Sequence, residues 1–232
     1  MPLVKVVPIP ISMGPMNVMA YLLVGERVVA VDTGVAGQAP RILEALAHEG
    51  RTASDISLIL LTHGHGDHAG SADALRAASG APIALGAGDE EKCAAGRDTE
   101  MRGRGRAGAA MLSIIRGRQA LAAPTAGPAP DIIIDAARSL REFGVDADVV
   151  PMPGHTRGSL AIFTADGDAL VGDLLGGGGR SRTAPEPGVF VSDEGAMDES
   201  IREVVRRRPV RTFTGHDLAP FTFEQLTEAF GD

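Results

Sequence analysis

The chain has 232 residues, of which 44% are hydrophobic and 22% charged, and this composition predicts one globular domain over residues 1–232. A formal net charge of −8 and the lack of any run of about 18 apolar residues argue against a nucleic-acid or membrane partner and favour a cytoplasmic location. The single cysteine excludes an internal disulfide and a cluster of thiolate metal ligands.

Short aliphatic segments separated by Gly or Pro dominate the first third of the chain, a pattern typical of strands. Strands are predicted at residues 3–9, 18–24, 28–31, 57–61 and 83–85. Helical spacing of apolar residues predicts helices at residues 40–48 and 72–78. Residues 63–70 are polar and rich in Gly, and we expect a loop there.

Residues 86–130 interrupt this pattern, because Gly, Ala and Arg dominate the segment. We predict a helical insertion or lid, with residues 111–115 as its apolar face. Arg97–Arg118 contains six arginines against Asp98 and Glu100, a local charge of +4. Over an active site, this charge would attract a carboxylate substrate, a coenzyme A ester or an acyl carrier protein. A solvated, flexible helix is the alternative.

Strands and helices alternate again in the second half of the chain. Strands are predicted at residues 132–134, 149–151, 160–164, 169–171 and 211–214, and helices at 197–206 and 223–230. Two runs of strands, each followed by helices, predict two sheets packed face to face with helices outside. Gly176–Arg182 is expected to form either a mobile loop near Asp173 or a plain connection.

Three of the six histidines lie within six positions, in the segment LILLTHGHGDH at residues 58–68. Side chains at i and i+2 of an extended segment point the same way, so His63 and His65 can bind one ion together. Asp67 and His68 then project from the following turn, towards a second position. Imidazole and carboxylate ligands suit Zn²⁺, Fe²⁺ or Mn²⁺.

Three further candidate ligands follow short apolar runs and a glycine: His155, Asp173 and His216. Asp32 and Thr62 are candidates for orienting the ligating imidazoles through hydrogen bonds. For Asp32 a simple turn-capping role is equally compatible with the sequence. Thr156 and Ser159 are expected to shape the turn behind His155.

The combined pattern resembles the metallo-β-lactamase superfamily, whose signature is H-x-H-x-D-H followed by separate His, Asp and His residues. The matching residues here are His63, His65, Asp67, His68, His155, Asp173 and His216. The likeness covers nearly the whole chain, apart from residues 86–130 and the loop after Asp173. It implies an α/β (α+β) fold, a four-layer αββα sandwich of two mixed β-sheets packed face to face with helices outside.

The resemblance also implies a metal site and a reaction. One metal would be held by His63, His65 and His155, and the second by Asp67, His68 and His216, with Asp173 as a bridge. Two zinc ions are expected, with iron or manganese possible, and Asp67 and His68 are the expected catalytic residues. A metal-bound hydroxide would then attack the carbonyl of a thioester, lactone or other ester carried by a small molecule, coenzyme A or an acyl carrier.

Other functions of the same family stay open at this point. A mononuclear iron persulfide dioxygenase would use His63, His155 and Asp173, and a β-lactamase-type amide hydrolase would use the full ligand set. A member that binds metal without catalysis is a further alternative. Cys93 is expected to lie far from any ligand turn, which argues against the lactamases that use a cysteine as a metal ligand. Tyr21 lies in a predicted strand rather than beside the metals, which argues against the acyl-homoserine lactonases, whose sites use a tyrosine there.

Overall fold

The computed structural model describes residues 3–13, 16–96, 100–121, 126–176 and 184–231, with 118–121 described by backbone alone. The strands are β1 (Lys5–Met13), β2 (Met16–Val24), β3 (Val28–Val31), β4 (Ile56–Leu60), β5 (Ile83–Gly86), β6 (Arg102–Gly103), β7 (Ile132–Ile134), β8 (Arg138–Ser139), β9 (Ala147–Pro151), β10 (Leu160–Thr164), β11 (Asp168–Leu170), β12 (Phe190–Val191), β13 (Arg211–Phe213) and β14 (Phe221–Thr222). The helices are α1 (Ala39–His48), α2 (Gly66–Ala69), α3 (Ala72–Ser79), α4 (Glu90–Ala95), α5 (Gly105–Leu121), α6 (Glu194–Arg206) and α7 (Phe223–Phe230).

Two six-stranded sheets form the centre of the molecule. The N-terminal sheet has the order β1-β2-β3-β4-β5-β7, with its first three strands antiparallel and the others parallel. The C-terminal sheet has the order β14-β13-β11-β10-β9-β8, in which only β11 and β13 pair in parallel. Both sheets are therefore mixed, as the family resemblance implies.

Three apolar clusters fill the spaces between four layers. The central cluster joins the facing sides of both sheets, for example Leu60 of β4 and Ile162 of β10. A second cluster packs α1 and α3 on the outer face of the N-terminal sheet. The third packs α6 and α7 on the outer face of the C-terminal sheet, around Met197 and Leu226. Every residue of β3 and β4 is buried, because these strands are covered on both faces. The predicted αββα fold is confirmed.

Most predicted elements lie within three residues of their observed bounds, and β3, β7, β10 and α7 match completely. The loop predicted at residues 63–70 is wrong in part, because α2 forms one helical turn inside it. The short strands β6, β8, β12 and β14 were not predicted. Each has only two residues, which is too short for the alternation of apolar and polar residues that marks a strand.

The segment predicted as a helical insertion contains α4 and α5, and β6 pairs with β12 beyond it. The apolar face predicted at residues 111–115 is wrong in part, since Leu112 is buried but Ile114 is 61% exposed. Met111 and Ile115 lie one helical turn apart and are half-buried beside Leu112, whereas Ile114 points away from this face. None of the described helices is long and apolar enough to cross a bilayer.

Candidate metal centre

All seven candidate ligands lie on short segments that follow buried strands. Thr62 and His63 follow β4, and His65 is the N-cap of α2, whose first turn carries Asp67 and His68. The other three come from the C-terminal sheet: His155 follows β9, Asp173 lies in a 3₁₀ turn after β11, and His216 follows β13. Ligands from both sheets therefore meet at one edge of the sandwich.

Three imidazoles form the first set of side chains, called here the trihistidine group (His63, His65 and His155). Their ring centroids are separated by 4.6, 4.6 and 4.8 Å. The Nε2 atom of His155 lies 3.0 Å from the Nδ1 atom of His65. The ligand atoms of all three lie within 4.8 Å of one another, a spacing that can hold one metal ion.

A second set, called here the mixed group, consists of Asp67, His68 and His216, and its ligand atoms satisfy the same spacing. The Oδ2 atom of Asp67 lies 3.9 Å from Nε2 of His68 and 3.8 Å from Nε2 of His216. Asp173 stands between the two groups: its oxygens lie 3.3 Å from His68 Nε2, 3.1 Å from His216 Nε2 and 3.6 Å from His155 Nε2. This is the position that a bridging carboxylate requires.

Hydrogen bonds on the far side of three imidazoles assign their protons. Nδ1 of His155 lies 2.9 Å from the Phe190 carbonyl, and Nδ1 of His216 lies 2.7 Å from the Asn17 carbonyl. A carbonyl only accepts, so both Nδ1 atoms carry a proton and both Nε2 atoms face the centre. Nδ1 of His68 donates in the same way to the carboxylate of Asp32, at 2.8 Å.

A short chain of hydrogen bonds assigns the proton of His63. The Thr62 hydroxyl donates to Asp32 Oδ2 at 2.8 Å, because an ionised carboxylate only accepts. Having used its one proton, the hydroxyl must accept from Nδ1 of His63 at 3.0 Å. The Nε2 lone pair of His63 therefore also faces the centre. The predicted orienting hydrogen bonds of Asp32 and Thr62 are present, and a turn cap alone does not describe Asp32.

Three polar atoms at the centre test whether a metal fits there. His63 Nε2 is buried without a hydrogen-bond partner among the described residues, and His68 Nε2 and Asp173 Oδ1 lie 3.3 Å apart without forming an aligned hydrogen bond. Buried polar atoms are nearly always satisfied, so three of them turned towards one point require an explanation. They belong to one set that can hold an ion, and lone pairs of imidazole and carboxylate are ligands for a divalent metal.

The two groups differ in their electrostatics. Burial and the neighbouring imidazoles lower the pKa of His63 well below 6.5, and burial lowers the pKa of His155 to about 4. In the mixed group burial opposes charge as well, but Asp173 and the other carboxylates outweigh it. They raise the pKa of His216 to about 9 and that of His68 well above 6.5. Carboxylates that favour a proton on these rings also favour a metal cation in its place.

Glycines keep space open around the ligands. A Cβ on Gly215 would lie 2.0 Å from Asp173 Oδ1 and 2.8 Å from His68 Cε1, so residue 215 must lack a side chain. A Cβ on Gly64 would meet Cys93 Cβ at 3.1 Å, whereas one on Gly66 would meet nothing within 4 Å. Neither Gly64 nor Gly66 has a positive φ. Close packing, and not a special backbone bend, accounts for Gly64.

The structure also gives the positions of Cys93, Tyr21, Thr156 and Ser159. Cys93 does not lie far from the ligand turns: it packs against Gly64, because α4 folds back over that loop. Its thiol is buried and its pKa is raised to about 11, and no candidate ligand group contains it. Tyr21 lies on β2 as expected, and its hydroxyl donates to the Thr214 carbonyl at 2.6 Å. Thr156 and Ser159 bond to each other in the turn behind His155, as predicted.

Sequence reasoning missed Asp89 and the two carbonyls of Asn17 and Phe190. Asp89 is fully buried and accepts hydrogen bonds from the segments that carry His65 and His155. Its neighbours in the sequence form no metal-ligand pattern, so only its partners in the fold reveal it. Backbone carbonyls leave no signal in a sequence, because every residue has one.

Comparison with known proteins agrees with this geometry. Residues 13–216 match the family described as the Metallo-beta-lactamase superfamily. A Bacillus subtilis (strain 168) protein named "Probable metallo-hydrolase YqgX" is 28% identical over 217 residues, which are 93% of this chain and 90% of that protein. A hydroxyacylglutathione hydrolase of Albidiferax ferrireducens is 30% identical over 150 residues. That match covers 63% of this chain but only 44% of the relative, so the chain spans less than half of its length.

A solved structure shows the same fold with a metal. The crystal structure of TTHA1623 in a di-iron-bound form is 26% identical, has a TM-score of 0.63, and the match covers 94% of this chain and 96% of that one. The superfamily binds metal ions, and both relatives are named as hydrolases. The family match over residues 13–216 establishes that the chain belongs to the metallo-β-lactamase superfamily, and the seven candidate ligands that converge in the fold agree with it.

Proposed function

We propose that the protein is a dinuclear metal-dependent hydrolase that acts on a thioester or another carboxylic ester. The trihistidine group would hold one metal, the mixed group the other, and Asp173 would bridge them. Two divalent ions in such a centre supply Lewis acidity for a substrate carbonyl and a nucleophile near neutral pH. The hydrolase names of both relatives support the reaction class, and the hydroxyacylglutathione hydrolase supports a thioester.

The chain's own residues would hold the ligands and move the proton. Asp67 is the more exposed of the two candidate carboxylate ligands, with 31% of its side chain accessible against 12% for Asp173, and is therefore the carboxylate best placed to accept a proton from the reacting centre. His68 is fully buried and its Nδ1–H donates a hydrogen bond to Asp32, so the imidazole would keep one orientation through the reaction. These positions support Asp67 and His68 as the catalytic residues.

Zinc is the metal that we propose. Three imidazoles in one group are typical of catalytic zinc sites, and the low pKa values of His63 and His155 keep these rings neutral and able to bind a metal at neutral pH. The di-iron-bound structure of TTHA1623 makes iron the rival metal. Manganese is also compatible with imidazole and carboxylate ligands.

The observation that carries the proposal is the orientation of four imidazoles. His63, His68, His155 and His216 each donate their Nδ1 proton to an acceptor outside the centre, which directs four Nε2 atoms inward. Among the described residues, Nε2 of His63 and of His68 is buried without a hydrogen-bond partner, which a purely structural histidine of a turn or core would have. This orientation of the imidazoles supports the proposal that the centre binds metal.

The experiment compares metal forms and substrates. Protein loaded with Zn²⁺, Fe²⁺ or Mn²⁺ is assayed on a hydroxyacylglutathione thioester, an acyl-coenzyme A, a lactone and a β-lactam. We expect zinc-dependent hydrolysis of a thioester, its loss in His65→Ala, and unchanged activity in His48→Ala, which alters an exposed histidine on α1. Hydrolysis of none of the four substrates by any metal form, or full activity in His65→Ala, would refute the proposal.

A further inference from the structure

Asp89 is a fully buried carboxylate between the end of β5 and the start of α4. Burial of a charge is costly unless hydrogen bonds compensate it. Asp89 accepts three of them: from Gly64 N at 2.9 Å, from the Thr156 hydroxyl at 2.7 Å and from Gly158 N at 3.0 Å. All three donors belong to the two ligand turns of the trihistidine group.

The donors lie beside the ligands themselves. Gly64 separates His63 from His65, and its N–H bonds to Oδ2 of Asp89. Thr156 follows His155 directly, and its hydroxyl bonds to the same oxygen. His65 comes from the N-terminal sheet and His155 from the C-terminal sheet, so one carboxylate joins both halves of the trihistidine group.

The Asp89 side chain accepts hydrogen bonds from these two turns and does not cap its own helix. Asp89 is the N-cap residue of α4, where an aspartate ordinarily accepts from a backbone N–H of the first turn, but its side chain makes no such bond. Gly158 allows the close approach, because a Cβ there would lie 2.8 Å from Cβ and Cγ of Asp89.

The direction of the hydrogen bonds makes this contact specific. The Thr156 hydroxyl has one proton, which goes to Asp89, since the carboxylate only accepts. Ser159 then donates to the Thr156 oxygen at 2.8 Å, while its own oxygen accepts from Thr156 N at 2.9 Å. Hydrogen bonds therefore connect the turn behind His155 to Asp89: the Ser159 hydroxyl donates to Thr156, and the Thr156 hydroxyl donates to Asp89.

We propose that Asp89 is a positioning residue that sets the distance between His65 and His155, and thereby the metal affinity of the trihistidine group. The proposal rests on the proposed metal centre. The mixed group is oriented by other contacts, His68 by Asp32 and His216 by the Asn17 carbonyl. Removal of the Asp89 contacts should therefore weaken one metal position and leave the other unchanged.

The test isolates each metal position and uses Co²⁺ as the probe, titrated by its visible absorption. In a His216→Ala background, where only the trihistidine group is complete, Asp89→Asn should weaken Co²⁺ binding about 10–100-fold. In a His65→Ala background, where only the mixed group is complete, the same substitution should change binding less than about twofold. A general loss of structure would weaken both.

A second pair of variants covers the case in which Asp89→Asn does not fold. Thr156→Val removes only the hydroxyl, and Thr156→Ser retains it, so in the His216→Ala background the valine should weaken Co²⁺ binding and the serine should restore it. Equal binding by Val and Ser, or equal effects of Asp89→Asn in both backgrounds, overturns the role of Asp89. Failure of both backgrounds to bind Co²⁺ overturns instead the metal centre on which it rests.

Discussion

Four of the five imidazoles of the centre, all except His65, donate their Nδ1 proton to a residue outside the centre. Asp32 serves two of them, directly for His68 and through Thr62 for His63. It does so from the left-handed region at φ 58°, which few residues other than Gly, Asn and Asp occupy readily. The strained backbone at residue 32 is compatible with a functional role for its carboxylate.

Asp32→Asn should weaken metal binding by the mixed group about 10–100-fold with little change in fold. Asparagine tolerates the left-handed conformation, but its neutral amide stabilises the His68 imidazole less than a carboxylate does. Metal titration of the variant tests this. Asp148→Asn, which removes a charge at an exposed position of β9, is the matched control and should bind metal normally. Wild-type affinity in Asp32→Asn would contradict the role.

The metal-free protein should be most stable near pH 6.5. His216 has a pKa of about 9 in the folded state against 6.5 ordinarily, so the folded state binds more protons between these values and stability falls as the pH rises towards 9. His155 has a folded pKa of about 4, so stability also falls as the pH drops from 6.5 to 4. Denaturant titrations of chelator-treated protein across pH 4–9 measure this.

A single variant separates the two sides of that profile. His216→Gln should reduce the slope of the alkaline side, because one of the two histidines that take up an extra proton is gone while His68 remains, and should leave the acid side in place. An unchanged alkaline slope in the variant would show that another residue causes it.

At the scale of elements, the sequence predicted the main strands and helices better than it predicted short turns and long-range side-chain contacts. The strands β3, β7 and β10 follow from β-branched runs bounded by Gly or Pro. The single turn of α2 was missed, because four residues that include a glycine show no helical periodicity. The convergence of the seven ligands could be predicted from a family resemblance, whereas Asp89 could not, since its three partners lie 25 to 69 residues away.

Two glycines of the ligand segments should respond differently to alanine. Gly215→Ala places a methyl group against Asp173 and His68, so metal binding by the mixed group should be lost or strongly weakened. Gly66→Ala adds a methyl group in open space at the first position of α2 and should keep metal binding, with stability unchanged or raised by up to about 1 kcal/mol. Metal content and thermal unfolding compare the two variants. Equal metal content would contradict the packing argument.

The arginine-rich insertion lies close to the ligand turns. Arg102 of β6 pairs with Val191 of β12, and the neighbouring Phe190 provides the carbonyl that holds His155. Replacing the exposed Arg102 and Arg106 together by glutamine should raise KM for an acyl-coenzyme A substrate roughly 2–10-fold and leave kcat unchanged, because exposed charges contribute about 0.2–1 kcal/mol each. A neutral ester is the control substrate. An unchanged KM for the anionic substrate would favour the alternative in which the insertion is a solvated, flexible helix that does not contact the substrate.

At the scale of the whole molecule, the centre joins two sheets. Four ligands come from the segment after β4 in the N-terminal sheet, and His155, Asp173 and His216 come from the C-terminal sheet. The sheets already share an apolar core, so the fold does not depend on metal alone. A metal bound across the junction adds stability to the folded state by mass action.

Removal of metal should therefore lower the thermal stability of the entire molecule and not of one half. At a metal concentration of about 1,000 times Kd, the stabilisation is roughly 4 kcal/mol. Calorimetry with and without chelator should show one shifted transition, and His65→Ala should show a smaller shift than the wild type. Two separate transitions, of which only one moves, would show that the metal does not join the sheets.

The proposed hydrolase requires two metal positions in one chain, and metal content per chain tests this requirement most directly. Mass spectrometry of protein purified without added metal should find close to two zinc ions per chain, and close to one in both His65→Ala and His216→Ala. About one iron per wild-type chain would contradict the dinuclear hydrolase. It would support instead a mononuclear iron oxygenase of the same fold, for which oxygen consumption is the next assay.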